Sequence, residues 1–89
     1  MDCELAEGIY RTFERAFVGP AQHRHQHFLD IQAREMQEAV GPIALGRIRH
    51  VCALMQDDRL LSLAALELIG REGPDGHLAT RFRYKVHSA

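Results

Sequence analysis

Three imidazoles crowd into five residues, His23-Arg24-His25-Gln26-His27. On a strand all three would share a face. On a helix His23 and His27 would stand one turn apart, the spacing that many zinc sites use. A zinc site needs a third or fourth ligand, and His50, His77, Cys3 and Asp30 are the distant donors on offer. No motif ties any of them to the cluster, and no glutamate lies between the paired histidines to act as the base of a zinc hydrolase. His23 and His27 are therefore weak metal candidates. A solvated polar turn with some pH sensitivity is the simpler expectation, and no bound cofactor is expected.

Other chemistry is sparser. Ser62 and Ser88 are the only serines, and no G-x-S-x-G pattern surrounds either. Cys52 lies two residues from His50, which on a helix puts the two on different faces. The adjacent carboxylates Asp57 and Asp58 read as a helix cap rather than an acid–base pair. Gly73 and Gly76 bracket Pro74-Asp75, a turn and not a phosphate loop. No set of role-bearing groups converges, so an enzyme is not expected.

The elements that must hold these residues are cut out by glycine and proline. Gly19-Pro20 and Gly41-Pro42 each read as a helix stop followed by a helix start. Leu5, Ile9, Phe13 and Phe17 fall four apart and predict a helix over 2–18, with Asp2 as its cap. Leu29, Ala33, Met36 and Val40 predict a second over 20–40, its polar start at 21–27 delaying the regular part to about Phe28. Ala44, Ile48, Val51 and Met55 predict a third over 42–56. Residues 60–69, rich in Leu and Ala, read as a fourth helix that is apolar nearly all round.

The period changes at the C-terminus. Thr80, Phe82, Tyr84 and Val86 alternate with Arg81, Arg83, Lys85 and His87, the clearest strand signal in the chain. A lone strand leaves its backbone unpaired. It must pair with a short strand near 69–72 or with a second copy. The expectation is a mainly α, α+β single domain over 1–89: four short helices followed by a C-terminal strand or hairpin. Its core is expected from Leu5, Ile9, Phe13, Phe17, Leu29, Met36, Ile48, Val51, Leu63, Leu66, Phe82 and Tyr84.

Composition sets bounds on partners. The 89 residues are 46% apolar and 26% charged, ordinary for a globular chain. Eleven Lys and Arg face twelve Asp and Glu, so the formal net charge is −1. A nucleic-acid-binding domain normally carries a basic excess. Charge is unevenly spread, however: residues 57–76 hold five acids and two bases, while the last thirteen hold Arg81, Arg83 and Lys85 and no acid. Two cysteines are too few for a disulfide framework. With no basic-then-apolar leader and no long apolar run, a cytoplasmic protein without a membrane span is expected.

The run from Leu63 to Gly73 followed by 77–86 is similar to the end of a winged-helix domain, where a recognition helix leads into a hairpin facing DNA. The resemblance covers roughly the last 30 residues. It implies that the fourth helix, with Arg59 at its start, and the bases Arg81, Arg83 and Lys85 meet nucleic acid. That helix would offer a groove mainly Arg59, Ser62 and Glu67, short of the Arg, Asn, Gln and Lys side chains that read bases. The leading expectation is therefore a small non-enzymatic interaction module (an inhibitor, adaptor or regulatory subunit) that binds a partner protein. Leu60, Leu61 and Leu68 would form its contact surface, because residues 100° apart cannot all point into one small core. The same surface, with the free strand edge, would suit a homodimer. The alternatives are a winged-helix-like DNA-binding regulator and a His-cluster metal-binding protein.

Overall fold

The structure, a computed structural model, describes residues 3–87; Asp2 as a cap and Ser88 lie outside the described residues. Leu5, Ile9 and Phe13 open the first helix with the expected spacing, and all three are fully buried. The stripe then skips a residue. Val18 and Ala21 are buried, while Phe17 is only partly so. The helix achieves this by widening: α1 (Cys3–Thr12) runs into a π-helical segment (Phe13–Val18) and on into α2 (Gly19–His23). In that segment Gly19 N–H donates to the Glu14 carbonyl, five residues back.

The same widening overturns the expected helix stop at Gly19-Pro20. Pro20 falls in the first turn of α2, where a missing N–H is harmless. Gly19 is needed because a Cβ there would stand 2.7 Å from the Glu14 carbonyl oxygen.

The helix expected over 20–40 is in fact three elements. After α2 the chain turns through His25 at φ 58 and enters β1 (Phe28–Gln32). α3 (Ala33–Val40) follows at once, its start fixed by the Glu35 carboxylate, which accepts from Gln32 N–H at 3.1 Å. Phe28 and Ile31, which flank the Leu29 stripe, are an aromatic and a β-branched residue that suit a strand. At Gly41-Pro42 the expected break does occur, into a 3-10 turn (Pro42–Ala44). α4 (Ile48–Met55) and α5 (Asp58–Leu63) come next, and the Asp57 carboxylate caps α5 by accepting from Leu60 N–H at 3.0 Å.

A further correction concerns residues 60–69, where the expected helix ends at Leu63. Ala65 adopts a left-handed conformation, φ 58, and redirects the chain into β2 (Leu66–Glu72). β3 (Arg81–Val86) is the central strand, antiparallel to both neighbours in the order β1-β3-β2. Leu66 and Leu68 register against Val86 and Tyr84, so the strand places their side chains beside those of β3. Those cross-strand neighbours outweigh the helix preference of Leu and Ala. Ile69 is an extra residue between the registered pairs of Leu68 and Gly70, a bulge in the outer strand.

The result is an α+β fold. Among the described residues, four helical bodies cover one face of a three-stranded antiparallel sheet. The alternation of β3 holds: Thr80, Phe82, Tyr84 and Val86 are buried, and Arg81, Arg83 and Lys85 are exposed. Phe13 meets Tyr84 edge to face at 5.5 Å, and Phe82 stacks on Tyr84 at 6.3 Å. Of the expected core, Phe17, Leu29 and Ile48 are half-buried and Leu63 is 70% exposed. Leu63 is the last residue of its helix, so no following turn brings it back over the core. Among the described residues no helix is long and apolar enough to cross a membrane.

Two substitutions of opposite sign test this backbone. Gly19→Ala forces a methyl against a carbonyl and is expected to lower unfolding free energy by roughly 1–3 kcal/mol. Ala65→Gly relieves a left-handed alanine and is expected to raise it by up to about 1 kcal/mol. Urea denaturation followed by circular dichroism reads both; a Gly19→Ala variant as stable as the parent would contradict the π-segment geometry.

Candidate functional site

The histidine cluster does not assemble. His23 ends α2, His25 occupies the turn, and His27 precedes β1, its carbonyl accepting from Val86 N–H at 2.8 Å. Among the described residues no three His, Cys, Asp or Glu side chains come together as a metal set.

Acids stand in register with the basic stripe of β3. Asp30 of β1 registers opposite Arg83, Glu67 of β2 opposite Lys85, and Glu72 of β2 opposite Arg81. The Arg83–Asp30 ion pair is closed at 2.8 Å, and the guanidinium lies 4.9 Å above the Phe28 ring. Each base thus has an acid on the adjoining strand, a ladder of cross-strand pairs. An anion approaching this face meets both signs.

The apolar residues expected at a partner surface are mostly internal. Leu60 and Leu61 lie in the core, and Leu68 packs against it beside Tyr84. The physical reason is the break at Ala64-Ala65, which separates these leucines onto two elements that both face inward. Among the described residues the most exposed large apolar side chains are instead Leu63 and, in the turn before α4, Leu45 at 77% exposure, with Phe28 and Ile69 less so.

A different surface forms where the start of α3, the outer side of α4 and the β2–β3 connection meet. That connection, residues 73–80, is folded back and tightly tied. Thr80, fully buried, donates its hydroxyl to the Pro74 carbonyl and accepts from His77 N–H at 3.2 Å. Thr80 N–H donates to the His77 carbonyl at 3.1 Å. The connection also bonds to α3: Ala33 N–H donates to the Thr80 carbonyl at 2.8 Å and Arg34 N–H to the Leu78 carbonyl at 3.0 Å. On the α4 side the Cys52 thiol reaches the His77 carbonyl at 3.7 Å. Gly76, at φ 68, sits so close that a Cβ would be 3.3 Å from Arg49 Cγ.

This brings Arg34, Arg49 and His77 to one surface, with His50 on α4 and Arg47 just ahead of it. The Arg34, Arg49 and His50 side chains are exposed and have no ion-pair partner among the described residues. His77 Nδ1 accepts from Ala79 N–H at 3.0 Å, so in the neutral ring Nε2 carries the proton and can donate. Acids nearby are engaged or few. Asp75 pairs with Arg71 at 3.3 Å, Glu35 caps α3, and Glu38 is exposed. The arrangement holds cationic and hydrogen-bond-donating groups on a rigid frame, with no nucleophile set against a base.

Sequence reasoning passed over this surface because it weighed charge mainly at the C-terminus. A signal was present: no acid occurs between Glu38 and Asp57, while Arg47, Arg49 and His50 lie inside that run.

Burial pushes the Cys52 thiol above its ordinary 9.0, with the Asp75 charge adding to it. Burial likewise raises the Tyr84 phenol above its ordinary 10.0, with the Cys52 charge adding to it. Both groups hold their protons more tightly folded than unfolded, so their contribution to stability is complete below about pH 9 and is lost as pH rises further. Urea midpoints between pH 7 and 11 are expected to fall above pH 9, with the fall beginning later in Cys52→Ala. At neutral pH a thiol reagent is expected to modify exposed Cys3 rapidly and buried Cys52 only on unfolding.

Comparison with protein-family models, with curated proteins and with solved structures finds no match to this chain.

Proposed function

We propose that this chain is a winged-helix-like domain that binds duplex DNA, with α4 as the helix presented to the major groove. The observation that carries the reading is topological. The order helix, strand, helix, helix, strand, strand, with the sheet arranged β1-β3-β2, is that of a winged helix, and α5 is a short addition ahead of β2. In this reading the β2–β3 connection is the wing. It lies against the same helix that carries the acid-free run. In this reading the presented helix is α4 rather than the helix expected over residues 60–69.

The roles divide by position. Arg49, His50 and Ala53 are exposed on α4 and would face base edges. Arg34 at the start of α3, Arg47 ahead of α4 and His77 in the wing would contact phosphates. The Arg81, Arg83 and Lys85 stripe, with acids in register beside it, would contribute little. A net charge of −1 gives no long-range attraction to DNA, so binding depends on these local groups and should be salt-sensitive.

Fluorescence anisotropy with a labelled generic duplex tests the reading. Binding is expected at low salt, with a log–log salt slope of about −3 for three to four phosphate contacts. Arg49→Ala and Arg34→Ala are each expected to weaken it roughly tenfold, and Arg83→Ala by less than about twofold. Absence of binding at about 50 mM salt would refute the proposal.

A second reading, the protein-interaction module, is favoured by a separate observation: Leu63 is exposed beside an apolar groove between α1 and α5.

A further inference from the structure

We infer that the α1–α5 groove is occupied by Leu63 of a second copy of this chain, in a two-fold homodimer. This does not depend on the nucleic-acid reading. Tyr10 of α1, Leu54 of α4 and Leu60 of α5 line the groove, and the exposed Leu63 borders it. Its volume is about 280 Å³. An apolar cavity of roughly 150 Å³ holds a benzene ring, so this groove has room for a branched aliphatic side chain. The Tyr10 hydroxyl donates to Glu14 Oε1 at 2.6 Å, one turn along the same helical body.

The charges around the groove identify the occupant. Arg59, on α5, is exposed and has no ion-pair partner among the described residues. Glu7, on α1, is exposed, its carboxylate 2.5 Å from Arg11 of its own helix. Both side chains border the groove, yet no ion pair joins them. The Asp57 carboxylate, also on the groove, caps α5, and that of Glu7 is shared with Arg11. Among the described residues the charge left without a partner at the groove is therefore Arg59, and the occupant must offer an apolar knob with a carboxylate beside it. This patch carries that pattern itself. In an isologous contact residue i meets j while j meets i, so one two-fold axis seats each Leu63 in the partner's groove and sets each Arg59 against the partner's Glu7. None of Arg34, Arg49 or His77 is used.

A patch of this size makes a weak dimer, formed at roughly 10–1,000 μM. Sedimentation equilibrium over that range, without DNA, is the experiment. The mass is expected to climb from 10.1 kDa toward twice that value. Leu63→Glu is expected to hold it at the monomer value. Arg59→Glu, which sets like charges against each other, should weaken association by about tenfold. Combining Arg59→Glu with Glu7→Arg should restore it to within about threefold, since the lost Glu7–Arg11 surface pair matters little to folding. Leu63, Arg59 and Glu7 are exposed, and a circular dichroism spectrum matching the parent confirms each fold. A parent chain that remains at 10.1 kDa throughout overturns the proposal, as does a Leu63→Glu variant that associates like the parent, or a charge swap that fails to recover association.

Discussion

Tyr84 is the point through which the layers are joined. It sits at the middle of the central strand, so both neighbouring strands register against it, through Leu29 on one side and Leu68 on the other. Its ring packs against Phe13 and Phe82, and its hydroxyl donates to the Met55 carbonyl at 2.8 Å at the end of α4. A helix end leaves carbonyls without intrahelical partners, and a buried one requires a donor from elsewhere. One side chain thus fixes α1, α4 and the sheet at once. It fills apolar space while satisfying a polar group that a phenylalanine would leave unpaired. The distance between α4 and β3, and with it the seat of the β2–β3 connection against α4, follows from this bond.

The two charged surfaces differ in how they are built, and the difference is one of register. On the sheet, strand pairing sets an acid in register with each base, and the Arg83–Asp30 pair is closed. On the helical side the positive groups come from three elements that do not pair: α3, α4 and the connection after β2. What holds them together is backbone bonding through Ala33, Arg34 and Thr80. Among the described residues Arg34 and Arg49 therefore have no ion-pair partner. A stripe of bases in the sequence is a poorer guide to a field than the acids that the fold lays beside it.

Much of the fold was legible where a single period ran without competition. The alternation from Thr80 to Val86, the Asp57 cap and the break at Gly41-Pro42 all depend on local chemistry, and they stand. The misreadings share a cause. Residues 28–32 and 66–72 become strands because β3 has two edges to satisfy, and a central strand's needs are not written in its neighbours' own periodicity. Leu63, read as core, and Leu60 and Leu61, read as surface, were exchanged by the break at Ala64. The helical site was hidden for a different reason: its signal is an absence of acids over 39–56, which the near-neutral total conceals.

The π segment has a further implication. A first helix with a four-residue stripe ending at Phe17 is what an uninterrupted α-helix would produce; the chain holds one residue more than that helix needs to join the same two ends. The surplus is absorbed in one wide turn between Phe13 and Val18, which keeps Val18 and Ala21 pointing inward and lets Gln22 reach the His87 carbonyl beside the end of β3 at 3.2 Å. Removing any one residue from that turn would yield a better helix and a worse protein. α2 would rotate by about 100°, turning Ala21 away from the core and leaving the start of β1 out of line with β3. Local regularity and the closing of the sheet are here in opposition, and the chain's length is set by the sheet.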